Sequence, residues 1–86
     1  MALYAVNIKK SAIKELQKLP ETVFTAVDAK ILSLENNPFP QYSKKLIGES
    51  NLYRLRQGNY RIIYSVEEES KIIEILKIKH RKDVYK

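Results

Sequence analysis

The segment 52–64, LYRLRQGNYRIIY, constrains the fold more than any other part of the chain, because it predicts a β-hairpin of fixed register. Apolar and aromatic residues alternate with polar ones on both sides of Gly58-Asn59, which is the period of strands with one buried face. Glycine tolerates positive φ, so Gly58-Asn59 suits a two-residue primed turn. Such a turn sets Leu55 opposite Ile62 and Arg56 opposite Arg61.

This register places Arg54, Arg56 and Arg61 on one face of the sheet and the apolar side chains on the other. Like charges that face each other across two strands destabilise a sheet, so folding alone does not require this arrangement. One interpretation is a solvated sheet face, on which arginine is common. The other is a phosphate site, because the planar guanidinium fork matches phosphate oxygens. The hairpin alone does not decide between them.

Composition limits the remaining possibilities. The chain has 86 residues, so we expect one domain over residues 1–86 with a single core. It has no cysteine and one histidine, so we expect no disulfide, no metal site and no bound cofactor. No apolar run is long enough to span a bilayer, and we expect a cytoplasmic protein. The net charge of +6 suits a polyanionic partner such as nucleic acid.

The N-terminal half predicts a strand followed by two helices. Residues 4–8 alternate as a short strand, and Ser11 is a candidate N-cap for the first helix. Pro20 ends that helix and suits the first turn of a second helix, which we expect over 21–35. The second helix has an apolar stripe that needs a sheet to cover it: Val23, Val27, Ile31 and Leu34, with Phe24 beside them.

The C-terminal half predicts the sheet. Gly48 suits a turn before the hairpin, and Glu67–Ser70 suits the tip after it. A last strand over 71–79 is apolar on both faces, which favours a central place in the sheet. The predicted order is therefore β-α-α-β-β-β, an α+β fold in which an N-terminal strand and a two-helix hairpin pack on a mostly antiparallel sheet.

The ordered set L-x-G-x(4)-YRLR-x-G-x-YRIIY, then a β-rich strand and HRKDVY, resembles the RelE side of the RelE/ParE toxin superfamily. The resemblance extends from Tyr4 to Tyr85 and includes the helical hairpin and the basic charge. It implies a RelE-like fold and a toxin that an antitoxin holds inactive. RelE-like members are ribosome-dependent endoribonucleases that cut messenger RNA in the ribosomal A site.

The resemblance also implies six site residues: Arg54, Arg56, Arg61, His80, Arg81 and Tyr85. Two departures from the family pattern affect individual roles. Arginine stands at positions 54 and 56, where some relatives have lysine, and the tail between Arg81 and Tyr85 is shorter than in some members.

Metal-free RNA cleavage by a 2′-hydroxyl needs a base for that hydroxyl, an acid for the leaving oxygen and cations for the transition state. Arginine supplies the positive charge but stays protonated and is a poor base. The base is therefore Tyr85 or His80. Tyr85 is favoured, because surrounding cations would lower the pKa of a tyrosine. His80 is the rival, because the reference pKa of histidine lies nearer neutrality.

Two further functions remain open at this stage. A ParE-like toxin would share the fold and inhibit DNA gyrase without nuclease activity. A chain without nuclease activity would serve as a binding module in an antitoxin complex that represses transcription. In each case we expect an acidic, partly disordered antitoxin that folds on the toxin, and any operator DNA would be bound through that antitoxin. The nuclease would also contact ribosomal RNA.

Overall fold

The computed structural model describes residues 3–46, 48 and 51–80. Arg81 and Tyr85, two of the expected site residues, lie outside these residues. The described chain forms two helices and five strands, in this order: β1 (Ala5–Ile8), α1 (Lys10–Gln17), α2 (Glu21–Ser33), β2 (Lys44–Lys45), β3 (Leu52–Gln57), β4 (Tyr60–Glu67) and β5 (Ile72–His80).

The strands form one sheet in the order β1-β5-β4-β3-β2. β1 runs parallel to β5, and all the other neighbours are antiparallel. The parallel pair follows from the connection between them, because two helices and the hairpin separate β1 from β5 in the chain. The α+β prediction is confirmed, and so is the central place of the last strand between β1 and β4.

The predicted hairpin register is confirmed at each pair. Gln57 lies opposite Tyr60, Arg56 opposite Arg61 and Leu55 opposite Ile62. Gly58 has φ 59°, and Asn59 is not among the residues with positive φ. A glycine at the first central position with positive φ is the pattern of a type II′ turn, whose twist matches that of the strands.

Both helices pack on one face of the sheet, which we call the helix face. Side chains from every long element meet there in one buried core. The buried members of α2 are Val27 and Ile31, and Leu34 follows directly. Phe24, which we expected beside this stripe, remains 38% exposed. The sheet contributes alternate residues of β3, β4 and β5, namely Leu55, Ile62, Tyr64, Val66, Ile73, Ile75 and Ile78.

Three local predictions are corrected. Helix α1 begins at Lys10 with Lys9 at its N-cap and no side-chain cap, so Ser11 lies inside the helix. The backbone N–H of Lys9 pairs with the carbonyl of Ile75, and this contact with β5 places the start of the helix before the serine. Helix α2 ends at Ser33, two residues early, because Leu34 and Glu35 donate to carbonyls three residues back in a tighter turn. Strand β2 was not expected.

Among the residues that the structure describes, neither helix has the length and apolar character needed to cross a membrane.

Candidate functional site

The face of the sheet opposite the helices, which we call the open face, carries the cations. Cross-strand pairing aligns them in two rows, because directly opposed residues share a face. In one row Lys44 lies opposite Arg54, which lies opposite Ile63 and then Lys77. In the other, Arg56 lies opposite Arg61 and then Lys79. The open face therefore holds six cationic side chains: Lys44, Arg54, Arg56, Arg61, Lys77 and Lys79.

Arg61 occupies the centre of this surface. It is 3% exposed, and it is the only charged residue of the described chain that is buried. Its neighbours on the adjoining strands, Arg56 and Lys79, are also cations. A guanidinium withdrawn from water is less screened, so its attraction for an anion is stronger than that of an exposed cation.

Glu15 of α1 closes the edge of the sheet next to this surface. Strand β1 pairs with β5 only as far as Ile75, so the end of β5 pairs with β4 on one side and, among the described residues, has no strand on the other. Glu15 accepts a hydrogen bond from the backbone N–H of Ile78 at 3.0 Å and binds the Lys79 ammonium at 3.1 Å. One carboxylate thus satisfies a strand-edge N–H and orients one cation of the open face.

His80 lies on the other face. It is opposite Tyr60, and the two rings meet edge to face with centroids 5.0 Å apart. Tyr60 packs against the core on the helix face, in line with Ile62 and Ile78. The structure therefore brings Arg54, Arg56 and Arg61 together and places His80 on the face opposite to them. His80 therefore does not share a face with the three arginines with which the resemblance groups it.

Of the tyrosines on the long strands, Tyr64 belongs to the core, and Tyr53 and Tyr60 are half-buried and pack against it. Tyr64 is fully buried, and its hydroxyl donates a hydrogen bond to the carbonyl of Pro38 at 2.9 Å. Burial raises the pKa of Tyr64 to about 12, against a smaller opposing effect of a hydrogen bond with Ser43. Tyr53 stacks on Tyr64 with ring centroids 5.8 Å apart and contacts Phe39 at 5.0 Å.

These contacts fix the loop at Pro38 and Phe39, and the same loop carries an exposed tyrosine, Tyr42. The backbone N–H and the side-chain hydroxyl of Ser43 both donate to the carbonyl of Pro40, at 2.9 and 2.8 Å. This closes a turn over residues 40–43. Tyr42 lies in the turn and is 71% exposed.

Tyr42 borders a cleft on the open face. The cleft has a volume of about 220 Å³ and is lined by Tyr42, Lys44, Arg54 and Arg56. Sequence reasoning missed two of these residues. Lys44 belongs to a strand of two residues, too short to leave a periodic pattern, and Tyr42 lies in an irregular loop. The only available signal was a tyrosine close to a pair of lysines, just ahead of the hairpin.

A metal ion would need a group of carboxylate, imidazole or thiolate ligands. Within 3–46, 48 and 51–80, no three His, Asp or Glu side chains are grouped closely enough to hold one.

Comparison with known proteins identifies the family to which this chain belongs. Residues 6–85 match the family model described as the ParE toxin of the type II toxin–antitoxin system, parDE. The chain is 31% identical to toxin RelG of Mycobacterium tuberculosis over 85 residues, which is 96% of this chain and 97% of that one. It is 28% identical to the mRNA interferase toxin RelE of Escherichia coli, over 95% of this chain and 90% of that protein.

Solved structures give the same result. The archaeal RelE–RelB complex from Pyrococcus horikoshii matches with a TM-score of 0.83 and 40% identity, over 92% of this chain and 96% of that one. The fold and the sequence thus define a small toxin of the type II toxin–antitoxin class. Within that class, the chain belongs to the RelE/ParE toxin family and is RelE-like.

Proposed function

We propose that this chain is a ribosome-dependent, metal-independent endonuclease that cuts messenger RNA in the ribosomal A site. The observation that carries the proposal is the open face, on which buried Arg61 lies between Arg56 and Lys79. Grouped guanidinium groups of this kind bind phosphate oxygens with charge-assisted hydrogen bonds, and an RNA backbone supplies such oxygens. Its E. coli relative bears the name mRNA interferase.

The proposed reaction is an attack by a ribose 2′-hydroxyl on the adjacent phosphorus. The O2′–P bond forms while the P–O5′ bond breaks, leaving a 2′,3′-cyclic phosphate and a 5′-hydroxyl. A base takes the proton from the 2′-oxygen, and an acid delivers one to the departing 5′-oxygen. Arg61 and Arg81 hold the phosphate and stabilise the charge that develops on its oxygens, and Arg54 and Arg56 bind the neighbouring backbone.

We assign the base to Tyr85 rather than His80. His80 contacts Tyr60 on the helix face, away from the guanidiniums of Arg54, Arg56 and Arg61 on the open face. Tyr64 is unsuited to the role, because it is buried in the core and its pKa is raised to about 12. A tyrosine among arginines has its phenolate form stabilised by their charge, which is the direction that a base requires.

The test is cleavage of messenger RNA in a translating extract, with the new RNA ends mapped. We expect ends within codons for the wild type and a loss of roughly 10²–10⁴-fold in rate for Tyr85→Phe, the usual contribution of one general base. Arg61→Ala should also abolish cutting. The matched control is Lys45→Ala, which removes an exposed cation of β2 that faces away from the open face. Undiminished cutting by Arg61→Ala together with Tyr85→Phe would contradict the proposal.

We further propose that an acidic antitoxin segment neutralises this toxin and that operator DNA is bound through the antitoxin. The support is the net charge of +6 and the relatives solved as RelE–RelB complexes. Such a segment is disordered alone and folds on the toxin. Co-purification in high salt tests the contact: complete dissociation would mean that electrostatic attraction alone holds it.

The second candidate is inhibition of DNA gyrase without RNA cleavage, favoured by the matching family model, which is described for ParE. Gyrase-dependent DNA breaks that persist after removal of Arg54, Arg56 and Arg61 would establish it. If instead the breaks are absent and messenger ends accumulate, the nuclease is supported.

A further inference from the structure

We propose that the cleft lined by Tyr42, Lys44, Arg54 and Arg56 is a subsite for one nucleotide of single-stranded RNA, with its base stacked on the Tyr42 ring. The proposal rests on the nuclease function above and assigns a place to RNA beside the phosphate that is cut. The cleft adjoins that place, because Arg56 lies opposite Arg61.

The first argument is the position of Tyr42. The residue is 71% exposed, although it lies in a turn closed by two hydrogen bonds from Ser43 to Pro40. The loop before it is fixed by the Tyr64 hydroxyl on the Pro38 carbonyl. Since the backbone is already ordered, a ligand that stacks on this ring does not have to order the loop. Exposed aromatic rings beside cations are how proteins hold unpaired bases.

The second argument is the charge of the cleft. Lys44 and Arg54 are directly opposed, and directly opposed residues have Cβ atoms roughly 5 Å apart. Of the carboxylates in the described chain, only Glu15 lies within salt-bridge distance of a cation, and that cation is Lys79. Lys44, Arg54 and Arg56 therefore have no acidic neighbour there to offset their repulsion, and a phosphate between them would do so.

The combination selects the class of ligand. A phosphate alone would explain the cations and would leave the fixed, exposed ring without a role. A stacked base together with its phosphate uses every residue that lines the cleft. Neighbouring strands are about 4.8 Å apart, so Lys44 on β2 stands two strand spacings, about 10 Å, from β4 at Ile63, and Arg61 lies two residues further along that strand. We therefore place the subsite at a nucleotide close to the one that is cut.

The direct test is fluorescence. The chain contains no tryptophan, so Tyr42→Trp supplies a single reporter in the cleft. A short RNA with 2′-O-methyl groups has no attacking hydroxyl and remains uncut. We expect it to quench the Tyr42→Trp protein, and we expect the same backbone without bases to leave the emission unchanged. Leu32→Trp, at an exposed position of α2, is the matched control and should not respond. Absence of quenching at saturating RNA would overturn the proposal.

Affinity for the same RNA gives a second measurement. Tyr42→Ala should weaken binding roughly 5- to 100-fold, the effect of losing one stacked base, and Tyr42→Phe should bind as the wild type does. Lys44→Ala should weaken binding and flatten its salt dependence, whereas Lys45→Ala on the same strand should do neither. Equal affinity of Tyr42→Ala and wild type would overturn the subsite.

The RNA could belong to the messenger or to the ribosome, and both share this chemistry. Binding to ribosomes with and without messenger in the A site separates them, since only a messenger nucleotide makes the Tyr42→Ala defect depend on messenger. The proposal of the subsite and the proposal of the nuclease can also be refuted independently of each other. If the wild type cuts and Tyr42→Ala cuts and binds equally well, the subsite is wrong and the nuclease stands. If the wild type never cuts, the nuclease is wrong.

Discussion

Tyr64 illustrates how a single hydroxyl links the core to the site. Its ring is fully buried on the helix face, and its hydroxyl reaches the loop that precedes β2. Without that bond the carbonyl of Pro38, itself in a buried residue, would lose its partner, at a cost of about 1–3 kcal/mol. Tyr64 thus orders this loop from within the core, whereas the exposed ring of the same loop belongs to Tyr42.

Tyr64→Phe should lower the free energy of unfolding at neutral pH by about 1 kcal/mol and remove a pH dependence at alkaline pH. In the folded chain the pKa of Tyr64 is raised to about 12 from its usual value of 10.0, so the stabilisation is complete below pH 10. Above that pH the unfolded chain loses the proton first, and stability falls by about 1.4 kcal/mol per pH unit up to pH 12. Urea unfolding of both proteins between pH 8 and 12 measures this. A constant difference between them would contradict it.

Arg56 shows the conflict between stability and function at one position. It is exposed and directly opposes Arg61. Arg56→Thr, which keeps a residue suited to strands, should raise the free energy of unfolding by about 0.2–1 kcal/mol by relieving the repulsion. It should weaken RNA binding at the same time. Thermal unfolding and RNA titration of one preparation measure both. A loss of stability would show that Arg56 makes stabilising contacts that outweigh its repulsion with Arg61.

At the scale of elements, α1 acts as a substitute for a missing strand. Beyond Ile75, β5 has no neighbour from β1, and the Glu15 carboxylate takes the place of a strand carbonyl at Ile78. An unpaired strand edge is a template for pairing with other chains. The helix therefore has two roles, since its other side packs Ala12 and Leu16 into the core.

Glu15→Ala should cost about 1–3 kcal/mol, because it leaves the Ile78 N–H without its acceptor, and should speed hydrogen exchange at that amide. Glu15→Gln keeps an oxygen acceptor and loses only the exposed ion pair with Lys79, which is worth about 0–1 kcal/mol. Urea unfolding ranks the variants, and Lys79→Ala serves as the control for the ion pair. If Glu15→Gln and Glu15→Ala were equally destabilised, the hydrogen bond would not be the stabilising contact.

The elements differ in how far the sequence determines them. The β3–β4 hairpin was predicted pair by pair, because Gly58 and strict alternation fix its register locally. The β4–β5 pairing was not, because a longer turn joins the strands and an irregularity follows Ile63, and neither has a local signal. That pairing is what places His80 beside Tyr60. Strand β2 forms by pairing with Leu52–Gln57 of β3. No short-range sequence pattern reveals that contact.

At the scale of the whole molecule, charge is segregated by face. The helix face of the sheet is buried, and within the described residues the open face carries six cations and two carboxylates, Glu74 opposite Ser65 and Glu67 opposite Ile72. The net charge of +6 was evident from composition, but its concentration on one surface depends on strand order. Lys77 is far along the sequence from Lys44. The two residues lie in the same row only because β3 and β4 pair between their strands.

This segregation predicts a surface-specific salt dependence. Each cation that contacts a phosphate of single-stranded RNA contributes about 0.7 to the slope of log affinity against log salt. Lys77→Ala should therefore reduce the slope by about that amount. Lys18→Ala, at the end of α1, should leave it unchanged. Titration of an uncut RNA at several salt concentrations measures both slopes; equal reductions would mean that binding follows net charge and not the open face.

Strand β2 has a consequence for how copies of this chain behave toward each other. It forms one outer edge of the sheet, it is two residues long, and both residues are lysines. Sheets that present long, uncharged edges pair with one another and aggregate. Here an approaching copy, itself strongly basic, would find too few backbone groups to pair with and two ammonium groups to displace. Lys44, which we assign to RNA, thus also disfavours edge-to-edge pairing between copies of this chain.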